Sequence, residues 1–108
     1  MTAYRIKSRF VNMEKAHVSL RSYDDGSTAL VAEELVQEDG YTELDRETLS
    51  VNLGAYGMYP PLGHVYVRNY AEHEGLPQAL ADAGIVRLVE PITFGPFNVA
   101  GYLVEVTL

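Results

Sequence analysis

Apolar and polar residues alternate along most of this chain at the spacing of β-strands, and in one stretch they switch to the spacing of a helix. Tyr4, Ile6, Ser8 and Phe10 share one parity, and Arg5, Lys7, Arg9 and Val11 the other. This predicts a strand over Tyr4–Val11 with a cationic outer face. Asn12–Lys15 reads as a turn, and Ala16–Tyr23 as a second strand with Val18 and Leu20 inward. Asp24-Asp25-Gly26-Ser27 is a hairpin signal, because Asp-Gly supplies the positive φ angles of a tight turn that matches strand twist. Thr28–Leu35 then pairs back as a third strand. Residues 33–47 fit either period. A helix would place Glu34 and Glu38 four apart on one face, where like charges repel. The extended form, turning at Glu38-Asp39-Gly40, is preferred. Thr48–Leu53 follows as a strand, with Leu49, Val51 and Leu53 on one face and Ser50 and Asn52 on the other.

Gly54–Gly63 breaks the alternation, since two prolines remove ladder donors and three glycines free the backbone. It is a loop that nevertheless holds Tyr56, Met58, Tyr59 and Leu62. Such apolar content either folds over the core as a lid or stays exposed for a partner. His64–Arg68 is a further strand, followed by a charged turn over 69–75. Leu76, Ala79, Leu80 and Ala83 then recur at i, i+3, i+4 and i+7, the stripe of an amphipathic helix. Pro77 suits its first turn and Gly84 its end. Ile85–Glu90 resumes as a strand, Pro91–Asn98 reads as a loop, and Val99–Leu108 closes the chain as a strand interrupted at Gly101. The fold class that results is α+β: one small domain, a mainly antiparallel sheet of six to seven strands, and one short helix at about 76–83 packed on one face. A chain of 108 residues is long enough to bury a core without staples.

Charge adds a second pattern. The net charge is -7 and it is unevenly spread. Residues 1–21 carry Arg5, Lys7, Arg9, Lys15 and Arg21 against Glu14 alone; residues 22–47 carry nine carboxylates against Arg46. In one reading the basic strand lies beside the acidic one and the charges pair across the sheet. In the other, an acidic surface is presented to a basic partner. Direct binding of nucleic acid is disfavoured, because phosphates repel a negative protein. There is no cysteine, hence no disulfide and no thiolate metal site. No apolar run approaches the roughly 18 residues of a membrane span, and none resembles a signal peptide. The expected location is the cytoplasm, away from membranes.

Catalytic chemistry finds little footing. His17, His64 and His73 are expected as half-exposed polar residues of strands or turns. Glu72, His73 and Glu74 are adjacent and point different ways, unlike metal ligands drawn from spaced positions. Asp24 and Asp25 lack the alternating oxygen ligands of a calcium loop. Ser8, Ser19, Ser22, Ser27 and Ser50 lie in no nucleophile elbow, and the glycines at 54, 57 and 63 precede a strand without a lysine, so they cradle no phosphate. Tyr56, Tyr66 and Tyr70 could stack bases, but Glu72 and Glu74 outweigh Arg68 beside them. No metal and no cofactor is implied, and an enzyme would need a pocket that the sequence does not announce.

The order of elements in the middle third carries a resemblance. LSVNL at Leu49–Leu53, followed after a loop by HVYVRNYAEHEGLPQALADAGIV at His64–Val86, resembles a small family of uncharacterised proteins encoded on bacterial phages and plasmids. These have a strand ending in V-N-L, a strand F/Y-V-x-x-Y/W, a turn S/A-E-N-E-x-L and a short helix ending in glycine. This chain departs from the pattern at His73, where asparagine is expected, and in its longer aromatic loop. The resemblance implies a mobile-element accessory protein and assigns no functional residue. Together with the charge layout it leads to an expected non-enzymatic role: binding a basic or nucleic-acid-binding host protein, such as a defence nuclease, through a phosphate-like face of Glu33, Glu34, Glu38, Asp39, Glu43, Asp45 and Glu47. The alternative is a homodimer or interaction module joined through Tyr56, Met58, Tyr59 and Leu62 and an exposed strand edge.

Overall fold

The structure is a computed structural model that describes residues 2–108. It is an α+β domain of seven strands in two antiparallel sheets with one short helix. The first sheet has the order β1-β2-β3-β4: β1 (Tyr4–Lys7), β2 (Asn12–Ser22), β3 (Thr28–Glu38) and β4 (Tyr41–Thr48). The second has the order β5-β7-β6: β5 (His64–Arg68), β6 (Val86–Phe94) and β7 (Val99–Val106). Helix α1 (Leu76–Asp82) lies against β1 and the second sheet. At seven residues it is too short to hold alone, so its stability comes from Leu76, Ala79 and Leu80 buried beneath it.

One core joins the two sheets. Ile6, Met13, Ala16, Leu30, Ala32 and Leu49 from the first side meet Val65, Val67, Leu76, Leu80, Ile85 and Val104 from the other. Burying each large aliphatic side chain here contributes about 1.5–3 kcal/mol. The opposite face of the second sheet carries a smaller cluster of Leu53, Tyr66, Phe94 and Leu103. Because β5 alternates, Val65 and Val67 serve the first cluster and Tyr66 the second.

Four expectations from the sequence are corrected. The first strand stops at Lys7, and the chain turns at Ser8–Phe10, where the Ser8 amide donates to the Val11 carbonyl at 2.8 Å; Asn12–Lys15 is therefore strand and not turn. The expected strand Thr48–Leu53 does not form: Thr48 ends β4, and Leu49–Leu53 crosses between the sheets. The Leu49 amide donates to Leu30 of β3 and the Val51 amide to Tyr66 of β5, both at 2.8 Å, and only Val51 forms a β-bridge. Leu49 and Leu53 consequently enter different clusters. Pro91–Phe94 is strand, not loop. A bulge between Leu88 and Glu90 shifts the phase, so Val86 and Leu88 face the main core while Ile92 and Phe94 face the smaller cluster. Pro91 is tolerated because β6 is an edge strand. Finally, β7 runs through Gly101 without a break. A Cβ there would lie 3.0 Å from the Val67 carbonyl oxygen and 3.2 Å from the Phe94 ring, so only glycine admits that close approach.

Candidate functional site

Three surfaces compete for a role: the β3–β4 hairpin, the loop over 54–62, and a cleft between the first sheet and β5.

The hairpin turns at Asp39-Gly40, with φ of 46° and 88°, and pairs Glu38 with Tyr41 across a two-residue loop. Positive φ at both positions is the tight turn that Asp-Gly favours. Residues 33–47 are therefore extended and not helical. From Leu35 to Arg46 every residue is exposed except Val36, so the hairpin extends past the core of a molecule measuring 45 × 27 × 23 Å. Register decides which candidates meet. Ala32 pairs with Glu47, Glu34 with Asp45, Val36 with Glu43 and Glu38 with Tyr41, and paired residues share a face. Glu34, Glu38, Glu43, Asp45 and Glu47 are thus brought together on the face that, nearer the body, buries Leu30 and Ala32.

Glu33 faces the other way, where Arg21 at 2.7 Å and Arg46 at 3.3 Å neutralise it. Asp39 lies at the tip. Glu47, at the root, is held by His73, its Oε1 lying 2.9 Å from Nε2. Glu34 turns back to the sheet, where Oε1 accepts the amides of Glu14 and Lys15 at 3.0 and 2.9 Å. Among the described residues, Glu38, Asp39, Glu43 and Asp45 have no cationic partner within 4.0 Å. The basic segment does not answer them, because β2 separates β1 from β3 and Arg5 pairs with Glu14 instead.

The aromatic loop divides. Met58 packs on the smaller cluster, as a lid would. Tyr56, Tyr59 and Leu62 are 54%, 69% and 101% exposed, so most of the loop's apolar surface is not used in folding. Tyr56 leans on Phe94, with ring centroids 6.1 Å apart, and its hydroxyl lies near Gly95. That contact adds the β6–β7 turn, with exposed Phe97, to the same region. Phe97 was not among the sequence candidates; the reading of 91–98 as an ordinary loop concealed that it caps a hairpin.

The cleft is about 390 Å³ and is lined by Tyr23, Glu47, Ser50, Asn52, Arg68 and His73, among others. Two of these are buried polar residues. Ser50 accepts the Leu30 amide at 2.8 Å and lies 2.7 Å from the Tyr23 hydroxyl. His73 is 8% exposed, in contrast to the half-exposed position expected, and is held by Glu47. Burial raises the Tyr23 hydroxyl above the ordinary phenol range, an effect opposed by its Ser50 hydrogen bond and by the nearby Arg68 charge. The phenol is therefore neutral at pH 7. A serine, a histidine and a glutamate share this cleft, yet the Ser50 oxygen is engaged by Leu30 and Tyr23 and makes no hydrogen bond to His73. The arrangement is one of held donors, not of a serine activated by a base. The sequence offered little signal for it, because its residues come from five separate segments.

Among the described residues, no helix is long and apolar enough to cross a membrane. Comparison of the chain with protein-family models, curated proteins and solved structures yields no match.

Proposed function

We propose that this protein is a non-enzymatic binding protein whose β3–β4 hairpin offers an acidic face to a basic surface of another protein, of the kind that handles nucleic acid. The observation that carries the reading is the register of the hairpin, which collects Glu34, Glu38, Glu43, Asp45 and Glu47 on one face and sets Glu34 directly opposite Asp45. Like charges directly opposite on a sheet are destabilising. Glu38, Glu43 and Asp45 make no ion pair within 4.0 Å among the described residues that would offset this. Clustered carboxylates on a projecting arm resemble the charge of a phosphate backbone and would steer a basic partner into contact. With the resemblance to phage and plasmid proteins, the partner class is a host defence protein such as a nuclease.

The test is capture from bacterial lysate at low salt and at about 0.5 M, where the screening length falls to about 4 Å. Proteins retained at low salt, released at high salt and displaced by duplex DNA support the reading. Retention that neither salt nor DNA disturbs counts against it. A second reading is favoured by one observation, the exposure of Tyr56, Tyr59 and Leu62. Tyrosine and leucine at that exposure would suit self-association through the loop. A homodimer that persists at 0.5 M salt (about 4 Å screening) and dissociates when Tyr56 and Tyr59 become serine is its expected signature in sedimentation.

A further inference from the structure

Arg68 stands apart from the other arginines. Arg5, Arg9, Arg21, Arg46 and Arg87 each lie 2.7–3.3 Å from a glutamate. Arg68 has no such partner among the described residues, in a chain with fifteen Asp and Glu. Its position at the end of β5 opposite Gly101 explains why no cross-strand carboxylate reaches it. Its Nε is shielded from solvent and donates to no protein acceptor. Buried donors without acceptors are uncommon in folded proteins and ask for one.

A second donor converges on the same cleft. The Ser50 oxygen accepts the Leu30 amide and lies 2.7 Å from the Tyr23 hydroxyl, a bond in which either hydroxyl can donate; with a ligand in the cleft, Ser50 is the donor to the Tyr23 oxygen. That leaves the Tyr23 O–H free to donate into the cleft. A planar guanidinium beside a phenol O–H matches an oxyanion, to which arginine donates two parallel hydrogen bonds. We propose that the Arg68 cleft binds a carboxylate, held by the Arg68 guanidinium and the Tyr23 hydroxyl. Glu47 and Glu72 also line the cleft and the whole protein is negative, which disfavours a doubly charged phosphate. The volume of about 390 Å³ suits a small acid or the carboxyl end of a chain, being within the roughly 300–1,000 Å³ of small-ligand sites. This site meets the hairpin face only at Glu47, and it stands whether or not that face binds a partner.

The experiment is an NMR titration of the ¹⁵N-labelled protein with sodium acetate, N-acetylglycine, inorganic phosphate and sodium chloride at matched ionic strength. Saturable shifts at Ser50, Asn52 and the Arg68 Nε–H with either carboxylate, and not with chloride, are expected. Tighter binding of N-acetylglycine points to a chain end, and equal binding to a free acid. Loss of a charge-assisted hydrogen bond should weaken binding by about tenfold or more in Arg68→Gln and about threefold or more in Tyr23→Phe. Arg87→Gln, which removes the same charge elsewhere, should bind as the parent does. Should Arg68→Gln not fold, Tyr23→Phe and Arg68→Lys carry the same comparison. Shifts that chloride reproduces, that survive both cleft substitutions, or that are as tight with phosphate as with acetate would overturn the assignment.

Discussion

Ser50 does more for the fold than its place in an alternating stretch implies. Parity puts it on the polar side of Leu49–Leu53, but the chain crosses from one sheet to the other there, and the side chain is buried between the Leu30 amide and the Tyr23 hydroxyl. Ser50→Ala is expected to lower stability by about 1–3 kcal/mol, because it strands a buried amide donor. Urea unfolding would read this as a lower midpoint at an unchanged slope. An unaltered midpoint would mean that Leu30 finds another acceptor. Asp25 is a different case, since the Asp-Gly turn was legible and its chemistry follows. Hydrogen bonds from the Ser27 hydroxyl, then the Asn52 amide and the Ser27 backbone, hold its carboxyl down to about 2 from an ordinary 3.8. A depressed carboxyl contributes stability that is complete above its ordinary value and is lost as pH falls through its folded value. Acid unfolding between pH 3.8 and about 2 should therefore be less steep in Asp25→Asn than in the parent. Identical acid limbs would show that Asp25 does not contribute. Only Gly26 of the Asp-Gly pair takes positive φ, because the loop from Tyr23 to Ser27 is longer than a two-residue turn.

At the scale of elements, stretches that keep one period were readable and those whose phase changes were not. His64–Arg68 and the helix stripe at Leu76–Leu80 match the structure because each keeps one period from end to end. The stretch after Glu90 does not, because the bulge before it turns the same parity from the main core to the smaller cluster and Pro91 imitates a loop signal. Gly101, read as an interruption, is instead the point where Phe94 lies across β7. Gly101→Ala is expected to cost about 1–3 kcal/mol from overpacking against backbone that cannot withdraw, measured by thermal unfolding. The β3–β4 hairpin shows the opposite balance. Replacing Asp45 by threonine removes the like charge opposite Glu34 and should raise stability by about 0.2–1 kcal/mol. Replacing Glu34 by alanine should lower it, since two amides of β2 lose their acceptor. The sequence could name these carboxylates but not their cross-strand partners: register sets Glu33 opposite Arg46 and Glu34 opposite Asp45, and register depends on the turn that closes the hairpin.

At the scale of the molecule, charge is distributed by topology. The basic first strand and the acidic hairpin are separated by β2, so among the described residues the basic segment reaches the hairpin only through Arg21 and Glu33, while Arg5 and Arg9 pair with Glu14 and Glu74. What remains is an acidic arm on an elongated body, with an arginine that meets no carboxylate among the described residues, in a cleft formed where the chain crosses between sheets. The cleft lay beyond sequence reading because Tyr23, Glu47, Ser50, Arg68 and His73 converge only after both sheets have formed. The arm's role as a binding face is the central claim, and charge reversal tests it most directly. Wild-type protein and the triple variant Glu38→Lys/Glu43→Lys/Asp45→Lys, both folded by NMR, would be compared for capture of the same DNA-displaceable partner at low salt. The account predicts at least about a tenfold loss of retention in the variant, as expected when complementary charges become like charges. Undiminished retention would contradict it and leave the hairpin a solvated edge whose carboxylates only keep the sheet from pairing with its neighbours.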